Sequence, residues 1–254
     1  MIEQTIAALK EMRMSTMARE YLHQIELPEM CELSFDERLA MMVQSESEKR
    51  ADTKLKRLIR QATLSDAGAN IDEIRYSKAR NLKKDMTVRL SSLSWVKAPH
   101  NLIITGACGT GKSWLASAWG KYACIHGFSV KMVRLSRLSA ELHVMRNELT
   151  LLKAFDKLAR TDLLIIDDFG LDRLDDYACR DLLEIAESRY RERATVFTSQ
   201  LPVAKWHGLF DDKTIADAFL DRLVHNSMRI ELTGPSMRKE ASAGTAESEG
   251  APSD

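Results

Sequence analysis

Cysteine, proline and glycine are all scarce in this 254-residue chain, at four, five and eleven residues. Cys31, Cys108, Cys124 and Cys179 lie far apart and form no CxxC pair. That speaks against a zinc-binding pattern and a disulfide framework, and leaves reduced thiols as the expectation. No stretch approaches the roughly 18–20 consecutive apolar residues of a membrane-crossing helix. The N-terminus has no basic-then-apolar signal pattern, so a cytoplasmic protein without a membrane partner is expected. With 44% apolar and 29% charged residues, the profile is that of a soluble, helix-rich globular chain. Its length suits one mid-sized domain and a smaller appendage. Net charge is also lacking, at zero, but the zero hides an asymmetry. Residues 49–89 hold 12 Lys/Arg against 5 Asp/Glu, an excess of 12 − 5 = +7 that the remainder must balance. A basic stretch in a neutral protein is a candidate for contact with a polyanion.

The first part, to about residue 94, reads as all-helical. Ile2, Ile6 and Leu9, then Met14, Met17, Tyr21 and Ile25, mark one amphipathic helix, broken at 27–33 where Pro28 lies. Ser34 and Glu37 stand three apart ahead of an apolar-periodic run, the pattern of a capping box. The helix that follows is expected to reach about Thr63. It gathers Leu55, Leu58, Ile59 and Ala62 on one face and Lys49, Arg50, Lys54, Arg57 and Arg60 on another. Residues 66–72 form a loop.

From His100 the rhythm alternates. Strands are expected at 101–105, 129–133, 162–166, 194–198 and 228–232, with helices at 112–126, up to 160, 177–193 and 214–226 between them. Such alternation implies a five-stranded parallel sheet covered by helices on both faces. Beyond Met237 the composition of Ala, Ser, Gly, Glu and Pro cannot bury a core, so residues 239–254 are expected to be disordered.

Gly106, Ala107, Cys108, Gly109, Thr110, Gly111, Lys112 and Ser113 spell GxxxxGK[ST] between a strand and a helix. The glycines let backbone N–H groups curl inward around phosphate, and the helix N-terminus adds its positive dipole end. Lys112 is placed to reach the β- and γ-phosphates of ATP, and Ser113 to hold Mg²⁺. Trp114, in the first helical turn, is counted with the phosphate-binding residues. A second motif, four aliphatics from Leu163 to Ile166 followed by Asp167 and Asp168, builds a buried strand expected beside the P-loop strand. Asp167 at its carboxyl end is the second Mg²⁺ residue. Asp168 either orients and deprotonates the attacking water or serves as a helix cap or surface charge.

Gln200, after the next strand, is either a polar contact to the γ-phosphate and lytic water or a turn residue before Pro202. Arg222 is either a finger reaching a neighbouring subunit's site or an intrahelical partner of Asp217 or Asp221. Arg238 either reaches phosphate or lies in solvent. The basic stretch is either a sequence-independent nucleic-acid contact or a solvated helix face. Trp95 and Trp206 are expected in the core or an interface.

Over nearly its full length the chain resembles the IstB-like transposition helper ATPases, a branch of the AAA+ superfamily close to the DnaC-type helicase loaders. The resemblance runs through Leu93-Ser-Trp95, the P-loop, Leu163-Leu-Ile-Ile-Asp-Asp-Phe-Gly170, and Asp181-Leu-Leu-Glu184 with Arg189-Tyr-Arg191. It continues through Thr198-Ser-Gln-Leu-Pro202 with Trp206-His207, Asp221-Arg-Leu-Val-His-Asn226 and Gly234-Pro-Ser-Met-Arg238. It implies a helical domain at 1–94, an AAA+ core at 95–238 and the tail at 239–254, and an ATP-dependent homo-oligomer on duplex DNA that assists a transposase. It further implies that Gln200 is the sensor-1 residue, Arg222 the arginine finger and Arg238 the sensor-2 arginine. Two departures stand out: the acid pair is Asp-Asp where Asp-Glu is usual, and no room remains for a C-terminal helical lid. A helicase loader that uses ATP as a switch is the alternative. A small-molecule phosphotransferase would need a second substrate pocket that no segment builds.

Overall fold

The computed structural model describes residues 1–237; Arg238 and the tail at 239–254 lie outside them. By contacts the chain divides into two compact units, Met1–Arg57 and Leu58 onward. Residues 58–94 thus group by contacts with the sheet-bearing residues.

The smaller unit holds α1 (Ile2–Glu11), α2 (Ser15–Glu26) and most of α3 (Phe35–Ala62). One continuous helix was expected through Ile25; the chain instead breaks at Arg13, whose φ is 61°. Arg13 N–H donates to the Lys10 carbonyl and Met14 N–H to that of Leu9, the paired bonds of a Schellman C-terminus. The sequence carried the signal, because the apolar step from Leu9 to Met14 is five residues rather than three or four. Glu46 of α3 caps the new helix, its carboxylate accepting the N–H groups of Thr16 and Met17 at 3.0 and 3.1 Å. The Arg50 guanidinium, 2.8 Å from that carboxylate, holds the Glu46 carboxyl below the usual range and also donates to the Arg13 carbonyl. The Ser34–Glu37 capping box is present: Ser34 N–H donates to Glu37 at 2.8 Å and Glu37 N–H to the Ser34 hydroxyl at 3.3 Å.

In the larger unit, α4 (Lys84–Ser91) and α5 (Ser94–Lys97) precede five strands: β1 (Asn101–Gly106), β2 (Val130–Arg134), β3 (Leu163–Phe169), β4 (Ala194–Ser199) and β5 (Ser227–Leu232). They form one parallel sheet in the order β2-β3-β4-β1-β5. Between them run α6 (Lys112–Ile125), α7 (Leu135–Asn147), α8 (Leu151–Arg160), α9 (Asp176–Arg189) and α10 (Lys213–Val224). The helical stretch expected up to residue 160 is two helices, parted at Leu149 with φ 58°.

Helix α6 covers one face, packing so close that a Cβ on Gly120 would meet Ile165 of β3 at 2.9 Å. The other face carries Ile103, Leu164, Ile166 and Phe197 into one core with Leu138, Leu182, Ile185 and Phe219. Because both faces are covered, β3 can be a continuous aliphatic run, and Leu163 to Ile166 are fully buried. Under the carboxyl end of β3, Phe169 packs between Phe197, Trp206 and Phe219 at centroid distances of 4.4–5.8 Å. Trp95 and Trp206 are core residues, their indole N–H groups donating to the Leu90 and Leu201 carbonyls.

One expectation is corrected by the strand order. The acid-bearing strand β3 does not adjoin the P-loop strand β1; β4 lies between them. A parallel crossover connection can skip a position, and the sequence pattern of each strand is the same in either arrangement.

Candidate nucleotide site

The loop between β1 and α6 is shaped by glycines in conformations other residues avoid. Gly109 and Gly111 have φ of 82° and 90°, and a Cβ on Gly109 would lie 2.2 Å from the Ser236 hydroxyl. Gly111 is also the N-cap of α6, and no side chain caps that helix. The first-turn amides of Lys112, Ser113 and Trp114 are therefore available to an anion, where the helix dipole favours negative charge. The buried Lys112 ammonium arches back over the loop and donates to the Ala107 carbonyl at 2.9 Å, as does the Thr110 hydroxyl at 2.8 Å.

Asp167, 1% exposed, stands at the centre of the site. Its Oδ1 accepts the Ser113 hydroxyl at 2.8 Å and the Thr198 hydroxyl on the same oxygen. A hydroxyl and a buried carboxylate at an uncapped helix N-terminus form a hard-oxygen set that fits Mg²⁺. The set is small, leaving positions for water and phosphate, as that ion requires. Among the described residues no cluster of three or more His, Cys, Asp or Glu could cage a metal by itself.

Asp168 is half-buried within β3, with φ 58° and a register irregularity spanning Ile166 to Phe169. Aspartate visits this left-handed region more readily than most residues with a Cβ, a local reason for Asp at this position. Its N–H donates to the Thr198 hydroxyl at 3.1 Å, and its carboxylate lies 3.6 Å from the Arg134 guanidinium at the end of β2.

Thr198 is the residue sequence reading missed. Its hydroxyl donates to Asp167 and accepts from the backbone of Asp168, tying the acidic step of β3 to β4. Attention to polar residues inside β4, rather than after it, would have found it. Thr198→Val keeps the shape and removes both bonds. If the site hydrolyses ATP, turnover is expected to fall about tenfold or more with little change in KM, whereas Thr198→Ser should stay within a few-fold of the parent. Equal rates for the valine variant and the parent would show that the bonds serve folding alone.

Gln200 lies one residue beyond β4, half-buried, and its side chain makes no hydrogen bond among the described residues. Arg222, near the C-terminal end of α10, is not paired with Asp217 or Asp221, which face His207 and His225 at 3.3 and 3.4 Å. Its guanidinium is 2.7 Å from Glu187 of α9 and donates to the Ala218 carbonyl. The intrahelical alternative for Arg222 is thereby replaced by an interhelical pair. Arg238 falls outside the described residues. Lys49, Arg50, Lys54, Arg57 and Arg60 are all exposed on α3.

Residues 7–245 match the family of IstB-like ATP binding proteins. An insertion-sequence ATP-binding protein of Sinorhizobium fredii is 40% identical over 235 residues, 92% of this chain and 96% of the relative. One from insertion sequence IS1162 of Pseudomonas fluorescens is 38% identical over 202 residues, 80% and 87% of the two chains. Among solved structures, the DnaC helicase loader superposes with a TM-score of 0.52 at 17% identity, covering 65% of this chain and 97% of that one. AMPPCP-bound DnaA from Aquifex aeolicus gives 0.57 at 15% identity, over 76% of this chain and 58% of DnaA. At such identities the two structures speak to the fold alone. Among the described residues no helix is long and apolar enough to cross a membrane. On sequence and fold together, the chain belongs to the IstB-like ATP-binding proteins of insertion sequences.

Proposed function

We propose that this protein is an ATP-hydrolysing assembly factor of transposition, which binds duplex DNA as an ATP-dependent homo-oligomer and assists the transposase of its own element. The convergence of Ser113, Asp167 and Thr198 beside the P-loop is the observation that carries the ATPase reading. The names of its relatives support the transposition context. The amides of residues 106–114 and the Lys112 ammonium bind the triphosphate, and Ser113 and Asp167 hold Mg²⁺. When bound, that ion neutralises charge on the β- and γ-phosphate oxygens. Asp168 takes the proton of the attacking water, turning from Arg134 to do so, and Gln200 contacts the γ-phosphate and that water. Arg222 acts on a neighbouring subunit's ATP, so that ATP favours the oligomer and hydrolysis its release.

DNA contact is assigned to the smaller unit. There Arg13, Lys49, Lys54 and Arg57 share an open groove of about 500 Å³ with the hydroxyl residues Ser15 and Thr16. Arg50 is committed to Glu46 and the Arg13 carbonyl, whereas Lys54 and Arg57 make no ion pair or hydrogen bond among the described residues.

The test is binding to random-sequence duplex and single-stranded DNA, with and without ATP, across a salt series. The parent is expected to prefer duplex of any sequence and to need ATP. Lys54→Ala with Arg57→Ala should reduce the slope of log K against log salt by about 2, one counterion for each lost phosphate contact. An unchanged slope would remove the groove from the DNA interface. Preference for single strands, or no DNA binding, would favour a helicase loader whose N-terminal helices grip a protein.

A further inference from the structure

Arg80 lies in the basic stretch of residues 49–89, yet it is 7% exposed and stands against the P-loop. One guanidinium nitrogen donates to the Arg75 carbonyl at 2.7 Å, and another donates to the carbonyl of Thr110, inside the P-loop, at 3.0 Å. The approach is close enough that a Cβ on Gly111 would meet that second nitrogen at 3.0 Å. The segment carrying Arg80 is itself anchored. Thr233, just after β5, donates its hydroxyl to the Ala79 carbonyl at 2.6 Å and its N–H to that of Arg80 at 3.2 Å. A little further on, Met237 N–H donates to the carbonyl of Gly109 at 3.0 Å. The P-loop is thus held from outside by two segments remote in sequence, through the carbonyls of Gly109 and Thr110.

The peptide joining Thr110 to Gly111 is trans, so its carbonyl and its N–H point in opposite directions. A guanidinium that draws the Thr110 carbonyl towards itself turns the Gly111 N–H away from itself. A loop whose amides are already turned loses less free energy in closing around phosphate. The charge on Arg80 also adds a positive potential beside a cradle that takes a polyanion, under cover from solvent.

We infer that Arg80 is a positioning residue for nucleotide binding: through the Thr110 carbonyl it sets the Gly111 amide for a phosphate of the bound nucleoside di- or triphosphate. The inference rests on the proposed use of the P-loop for ATP and adds a residue from the segment that precedes the sheet. It assigns the arginine to substrate affinity, not to the rate of bond breaking.

The test uses the full chain, with dissociation constants for MgATP and MgADP, steady-state kinetics and the melting temperature of each variant. Arg80→Met is expected to raise both dissociation constants, and KM for ATP, roughly tenfold or more, the loss of one charge-assisted bond to the loop. kcat at saturating ATP should remain within about twofold. A residue that serves folding alone would lower the active fraction and the melting temperature while the folded molecules bind with parental affinity. Arg80→Lys keeps the charge but cannot span both carbonyls, and is expected to fall between parent and methionine variant. Should the methionine variant not fold, the lysine variant decides, since parental affinity in it overturns the assignment. Parental affinity in Arg80→Met likewise overturns it while leaving the ATP reading intact. Failure of the parent protein to bind either nucleotide overturns both.

Discussion

Replacing Arg222 by alanine is expected to leave ATP affinity within about twofold of the parent and to lower turnover by about a thousandfold, the lower range for loss of an arginine finger. The expectation follows from where the residue stands. Asn101, the first residue of β1, donates its side-chain amide to the carbonyl of Leu223, next to Arg222. The P-loop leaves the other end of β1, five residues on at Gly106. At the rise of an extended strand the two ends are roughly 17 Å apart, which sets the helix end that carries Arg222 away from its own chain's P-loop. If it contributes to hydrolysis, it does so on another subunit. Its guanidinium is held by Glu187, at 2.7 Å and 44% exposed, so the pair is open to solvent, as the proposed role on a second subunit requires. Glu187→Gln should therefore lower turnover far less than Arg222→Ala, because in the proposed role the glutamate aims the arginine but carries none of the positive charge. Sedimentation with ATP provides the second readout, with a smaller assembly for Arg222→Ala. Parental turnover and assembly in that variant would reduce the arginine to an interhelical strut.

The second large effect is expected on stability. Arg189 is 2% exposed, with no carboxylate among its hydrogen-bond partners. Its guanidinium instead donates to the Thr195 hydroxyl at 2.9 Å, to the Thr161 carbonyl at 2.7 Å, and to the carbonyls of Leu158 and Ala194. It thereby ties the C-terminal end of α8 to the start of β4. Burial pushes its pKa down to about 9, Arg193 adding to the depression and Asp162 opposing it, so the group is still charged at neutral pH. Arg189→Met fills the volume but leaves several buried carbonyls without a donor. At about 1–3 kcal/mol for each such group, partly relieved by relaxation, the cost is about 4 kcal/mol. For a domain of this size that corresponds to a fall of roughly 10 °C in the melting temperature. Arg193→Ala, which removes a 3.6 Å contact with Asp162 between half-exposed partners and an exposed bond to the Glu192 carbonyl, should change it by a degree or two. A shift of under 2 °C for Arg189→Met would mean that water replaces the guanidinium, and the arginine would then not be a structural staple.

These two arginines, with Thr198 and Arg80, mark the boundary of what could be read from the chain. The P-loop was legible because phosphate binding there uses consecutive residues, with glycines at fixed offsets and a helix start just behind them. The aliphatic run from Leu163 to Ile166 was legible because a strand buried on both faces has no polar alternation to hide it. The Ser34–Glu37 box and the alternation of strands and helices are likewise encoded in local spacing. The break at Arg13 shows in an apolar step of five, although three- and four-residue spacing resumes on either side of it.

Residues that act through partners far along the chain were not legible. Thr198 meets Asp167 across 31 positions only because β4 lies between β3 and β1, and strand order leaves no trace in the pattern of any one strand. Arg189 and Arg222 lie among other charged residues of similar spacing. Burial against α8 made one a staple, and the neighbouring helix α9 gave the other Glu187 in place of the aspartates of its own helix. Arg80 looked like one more charge in a basic run until the fold brought its segment against the P-loop. The sequence by itself thus determined the elements and the phosphate-binding loop, since both depend on neighbours within a few residues. Only the tertiary structure decided which side chains stand around that loop, because their placement depends on the order in which the strands are laid side by side.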